Sequence, residues 1–271
     1  MSEQLLNLAC GSKVSAVGAW TNIDFQSSAD DVIEADILRG LPFGPNTFDV
    51  VYSAQFIEHL TLEQGECVLR DVARIMKPGG LIRLVTPDLE ELTRTYLASL
   101  EAMKTGPSDL DRSKYEWIRL EIFDQIERDF PDGETRAFLA ASDDATRAHI
   151  IDRLGHTATT FFTSSNGETH RFSLGRIWRK RNRIFRRVWQ IARNIMATDT
   201  MRVGRFRRSG EVHRYLHDFQ SLTLLLEKAG FHSVKRVDAH RSSIPNWSSY
   251  ELDVINGVVD GPLSLYVEAR V

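Results

Sequence analysis

The 271 residues include only two cysteines, and no long apolar run. Cys10 and Cys67 cannot build a disulfide framework, so a reducing, cytoplasmic setting is expected. No stretch approaches the ~18 apolar residues of a membrane-spanning helix. The start, Met1-Ser2-Glu3-Gln4, lacks the basic region of a signal peptide. Neither sign of charge dominates: 34 basic against 37 acidic residues leave a net charge of −3, which excludes a general polyanion binder. C-x-x-C is missing. So is G-x-G-x-x-G, which argues against a dinucleotide pyrophosphate site. The remainder is globular in character, with 42% hydrophobic and 26% charged residues, excluding collagen-like and disordered classes. A chain of this length buries a sizeable core unaided.

Three textures follow one another. Over residues 4–92, Leu5–Ala9, Thr21–Phe25, Val32–Ala35, Phe48–Ser53 and Leu81–Val85 read as short strands. Leu62–Met76 has a helical apolar period and stops at Lys77-Pro78-Gly79-Gly80. Strands separated by crossovers predict a parallel α/β sheet. Residues 93–208 are helical in pattern and segregated in charge. Residues 108–153 hold 12 acidic and 7 basic residues, whereas 176–208 hold 12 basic residues and the single acid Asp199. Over 209–271 the first texture returns. Asp218 caps a helix through Lys228, Gly230 stops it, and Phe231–Val237 is a strand. Residues 263–270 alternate apolar and polar, as a half-exposed antiparallel strand does. The expected organisation is one core, 1–92 plus 209–271, interrupted by a helical insertion, 93–208, that serves an acceptor or partner.

Ligands of open α/β sheets bind beyond the carboxyl ends of the strands. Strand one ends in a small-residue turn, where Ala9, Cys10 and Gly11 let a ligand approach the backbone. Asp24 ends strand two, and a carboxylate there can accept both hydroxyls of a ribose. Asp36 lies just past strand three, placed for an adenine amino group, with Ile37 against the ring. Strand four delivers Ser53 and Ala54 to the same edge. Ribose and adenine without phosphates point to S-adenosylmethionine.

These residues carry a family resemblance. LLNLACG (5–11) resembles the first motif of class I S-adenosylmethionine-dependent methyltransferases. NID (22–24), ADIL (35–38) with LPFGPNTFDVVYSAQFIEHL (41–60), and VARIMKPGGL (72–81) follow in that family's order and spacing. SGEVHRYLHD (209–218), IPNW (244–247) and DGPLSLYVE (260–268) are similar to a narrower group, found among bacterial surface-polysaccharide biosynthesis genes. The resemblance implies a Rossmann-like, seven-stranded, mostly parallel sheet with one antiparallel edge strand. It also implies the cofactor at the ends of strands one, two and four, touching Asn7 as well as the residues named above. The reaction it implies is O-methylation of a small-molecule or glycan acceptor. A non-catalytic scaffold of the same fold and an RNA methyltransferase are the alternatives.

Methyl transfer from a sulfonium is an in-line displacement, and a hydroxyl acceptor calls for a base. His59, Asp88 and His213 are the candidates; a helix cap is the competing role for Asp88. His213 and His217 have the H-x-x-x-H spacing that a helix places on one face, but two ligands are not a site, and no metal is expected. The stretch 176–196 reads as a basic amphipathic helix. It suits peripheral contact with the inner face of a membrane or a lipid-linked acceptor, unless its arginines pair with the acidic 108–153 section. Nucleic acid is disfavoured, because Trp178 and Trp189 fall on the apolar face of such a helix.

Overall fold

Strand β1 (Leu5–Leu8) is apolar except for Asn7 and buried along its whole length, as a strand covered on both faces must be. It lies parallel between β2 (Trp20–Asp24) and β4 (Phe48–Ala54), with Leu5 opposite both Trp20 and Val50. The computed structural model describes residues 3–15, 20–26, 30–131, 133–164, 198–207 and 210–271. The helix expected over 176–196 lies outside these residues.

The other strands are β3 (Val32–Glu34), β5 (Met76–Pro87), β6 (His232–Val237) and β9 (Ser264–Arg270), with a small separate pair, β7 (Val254–Ile255) and β8 (Val258–Val259). The main sheet runs β3-β2-β1-β4-β5-β9-β6, and its order reverses between β1 and β4. Only β9 is antiparallel to its neighbours, β5 and β6. It stands one place in from the edge, which β6 occupies. β9 is also buried instead of half exposed, because its polar member, Glu268, meets a buried partner, Arg83 of β5.

Helix α1 (Leu62–Ile75) begins with a capping box between Thr61 and Gln64 and packs Val68, Leu69, Val72 and Ile75 on one face of the sheet. Met76 already belongs to β5, so the Lys77-Pro78-Gly79-Gly80 stop opens a strand directly. Asp218 caps α9 (Phe219–Lys228) through Ser221, as its position predicts, and Leu222 and Leu226 join the same apolar layer. The opposite face is aromatic, built on Trp20, Tyr52, Trp247 and Tyr266.

Helix α2 (Leu89–Lys104) runs through residue 93 without a break and leads into α3 (Asp109–Arg119), a π-helical turn at Leu120–Asp124, α4 (Gln125–Glu127), α5 (Thr135–Ala141), α6 (Asp144–Leu154) and α7 (His156–Ser164). Trp117, Leu139, Ile150 and Ala158 form a second, smaller apolar cluster there. Helix α8 (Asp199–Phe206) follows. Gly155, between α6 and α7, bridges Asp260 at a φ of +60°. A Cβ at that glycine would stand 1.9 Å from the Val259 carbonyl oxygen, so only glycine permits this approach. Among the described residues no helix is long and apolar enough to cross a membrane.

Candidate active site at the ends of the central strands

The reversal of strand order between β1 and β4 leaves a crevice at their carboxyl ends. The turn that closes β1 is held from several sides. Asn7 donates through Nδ2 to the Lys13 carbonyl (2.8 Å) and to Asn22 Oδ1 (3.0 Å). Asp24 Oδ2 accepts the Gly11 amide (2.8 Å). Ala9 and Gly11 both adopt left-handed backbone, φ +54° and +55°. Where a Gly11 Cβ would stand, no atom of the described residues lies within 4 Å.

A cavity of about 650 Å³ opens at this edge. Asn7, Ala9, Cys10, Gly11, Ala54 and Gln55 line it from the strand ends, and His156, Thr157 and Thr160 line it from α7. Tyr250, Glu251 and Asp260 complete the wall. Asp260 holds three parts of the chain together: it pairs with Lys13 at 2.6 Å and accepts both the Thr157 amide (3.1 Å) and hydroxyl (2.6 Å). Burial, followed by the Asp24 carboxylate, pushes the Cys10 thiol up to about 11, so it stays a neutral wall group.

The volume suits a nucleoside-sized ligand. The fit to S-adenosylmethionine rests on the left-handed turn Ala9–Gly11. Asp24 stands outside the lining but adds to the fit: among the described residues its oxygens accept the Gly11 and Gln26 amides, and a carboxylate has further lone pairs for ribose hydroxyls. Five of the expected contacts, Asn7, Ala9, Cys10, Gly11 and Ala54, are brought together here. The others stand outside the lining. Asp36 caps the short helical turn Ile37–Arg39 and pairs with Arg39 at 3.0 Å. Ile37 is packed in the core with Leu6 and Leu8, and Ser53 is buried with no partner for its hydroxyl.

A second polar cluster follows the end of β4. Gln55 leads into the turn Ile57–His59. The chain from Glu211 to Asp218 is extended, not helical, so His213 and His217 do not share a helix face. It is tied down across this turn: the Arg214 and Tyr215 amides donate to the Glu58 carbonyl (2.6 and 3.1 Å), and the His213 amide donates to that of Gln125 (2.9 Å). His59 and His213 meet edge to face, ring centres 4.8 Å apart. Burial lifts the Glu58 carboxyl to about 8, against its bond from the Thr86 hydroxyl. Burial also depresses both imidazoles, His213 to about 3, with His59 and Arg128 adding to the effect at His213. Asp88 sits elsewhere: one oxygen caps α2 at the Glu90 amide (3.0 Å) and the other pairs with Arg236.

Glu58 and the wall from α7, Tyr250 and Glu251 are not among the residues the sequence singles out. The signal for Glu58 was its acid adjoining a histidine directly after a buried strand. His156 and Thr157 reach Asp260 from 103 or more positions away, and no local pattern announces that.

Residues 9–84 match the family described as "Methyltransferase domain". No curated protein matches in sequence. Among solved structures, the chain resembles the [4+2]-cyclase SpnF, at 18% identity over 31% of this chain and 38% of that one, with a TM-score of 0.25. It thus spans well under half of that chain's length. It also resembles an S-adenosylmethionine-dependent methyltransferase from Archaeoglobus fulgidus, at 12% identity over 99% of this chain and 86% of that one, with a TM-score of 0.40. A possible histamine N-methyltransferase from Thermotoga maritima is 11% identical over 100% of this chain and 83% of that one, again with a TM-score of 0.40. The segment that supplies the strand ends of the crevice, residues 9–84, is thus similar to a methyltransferase domain, carried on a seven-stranded sheet of Rossmann-like order.

Proposed function

We propose that the chain O-methylates a sugar or glycan intermediate. The observation that carries this reading is the polar part of the cavity lining: Thr157, Thr160, Tyr250 and Glu251 bring hydroxyls and a carboxylate suited to a polyhydroxylated acceptor. Bound cofactor supplies a methyl group activated by a positively charged sulfur. The turn Ala9–Gly11 and Asp24 hold its nucleoside end. The α7 residues close the crevice against water and orient the acceptor, which is the larger part of catalysis for an in-line displacement. His59 and His213, the histidines expected as bases, are not among the residues that line the cavity. Purified protein incubated with methyl-labelled cofactor and a panel of sugar nucleotides and lipid-linked sugars should label one class of acceptor. Cofactor binding without transfer to any acceptor would favour a scaffold. Labelling of RNA alone would replace the glycan.

A further inference from the structure

We propose that Glu58, His59 and His213 bind a divalent transition-metal cation of the zinc type. Each offers one ligand atom, and these atoms lie within 4.8 Å of one another. Three orphaned atoms coincide here: among the described residues Glu58 Oε1, His59 Nδ1 and His213 Nδ1 are buried without a hydrogen-bond partner. Glu58 is wholly buried and His213 is 7% exposed. A buried carboxylate oxygen and two buried ring nitrogens left unpaired are each unfavourable, and one cation answers all three.

The donor set is chemically apt. Imidazole with carboxylate suits zinc and its transition-metal neighbours, and three protein ligands leave a coordination position open, as catalytic sites do. Ligand bonds of ~2.0–2.2 Å bring two ligand atoms to within about 4 Å of each other, so the present spacing closes with small side-chain rotations. A supporting shell exists as well. Thr86 donates to Glu58 Oε2 at 3.1 Å, and the backbone of Val212 and Gly210 faces the His59 ring. The opposing feature is Arg128, whose guanidinium lies near both imidazoles while donating to the Glu211 carbonyl. None of the three ligands lines the strand-end cavity; the ion ties the extended stretch that carries His213 to the turn that carries Glu58 and His59.

The test is titration of chelator-treated, folded protein with Co²⁺, read by its visible absorption, and with Zn²⁺, read by calorimetry. One ion per chain at micromolar concentration is expected. His213→Ala and Glu58→Gln should each lose at least 100-fold in affinity, while His240→Ala, at an exposed histidine, should change nothing. Thr86→Val, a milder change, should cost about tenfold. Arg128→Gln should tighten binding by removing a like charge. No ion bound to wild-type protein whose circular dichroism is intact, or undiminished affinity in His213→Ala, overturns the site. Cofactor binding measured on the same metal-free sample separates the two readings: cofactor bound with no metal sinks only this site, and metal bound with no cofactor sinks only the methyltransferase reading.

Discussion

Two single residues carry consequences that a measurement can reach. Asp24 has two tasks, holding the Gly11 amide and offering its remaining lone pairs to a ribose. Asp24→Ala should weaken cofactor binding by about 1–3 kcal/mol in calorimetry, the cost of leaving hydroxyls without a charged acceptor. Asp24→Asn keeps an oxygen for Gly11 and should lose less; no loss at all in Asp24→Asn would mean that the charge has no part in the site. Arg83 is the other. Its side chain is wholly buried, pairs with Asp253 (2.6 Å) and Glu268 (2.9 Å), donates to the Asp238 and Arg241 carbonyls, and stacks over Trp247. Arg83→Met strands two buried carboxylates and should cost about 3–5 kcal/mol in urea unfolding. Adding Asp253→Asn and Glu268→Gln should recover much of that loss, since the stranded charge is what hurts.

Among the elements, the strap from Glu211 to Asp218 has the clearest pH signature. Burial depresses His217 to about 4, against a weak opposing pull from Asp218. In the folded chain the ring stays neutral, whereas the unfolded chain takes up a proton near the ordinary value of 6.5. Stability is therefore intact above 6.5 and falls as pH drops toward 4, by about 3 kcal/mol from this group alone. In His217→Asn, the loss between pH 7 and 4 should be smaller by about that amount; parallel curves for the two proteins would exclude it. The strap also shows where sequence reading reaches its limit. Strands β1, β4 and β5 were legible because a strand buried on both faces is mostly apolar, with Asn7, Asp49 and Arg83 among the exceptions, and Asp218 because a cap sits next to its helix. The strap was not, since the same five residues His213–His217 satisfy a helical spacing and an extended chain equally well. Its path is set by Glu58 and Gln125, which lie far off in sequence. The ion pairs of Arg83, reaching 170 and 185 positions away, were hidden for the same reason.

For the molecule as a whole, charge is near balance but unevenly placed, with 12 basic residues and one acid over 176–208. Arg207, within that stretch, pairs with Asp129 (2.7 Å) and Glu127 (3.5 Å) of the acidic section, and Arg202 pairs with Asp199. Most of the remaining arginines precede these. Binding to anionic vesicles at low salt should therefore be measurable by co-sedimentation, and it should disappear in Arg179→Gln/Arg183→Gln/Arg187→Gln and in high salt. Cofactor affinity should stay unchanged. A wild-type protein that ignores such vesicles leaves intramolecular pairing as the role of the stretch.

The place of β9 in the sheet has a kinetic consequence. Leu81 of β5 pairs with Arg270 across 189 positions, with every helix from α2 to α9 lying in between. Closing so long a loop is slow, and strands β1 to β5 leave the ribosome long before their last partner exists. During that interval β5 presents an open edge, with Leu81, Ile82, Leu84 and Val85 around the still unpaired Arg83, to any neighbouring chain. Aggregation in the cell should thus depend less on the stability of the finished fold than on how quickly synthesis reaches residue 270.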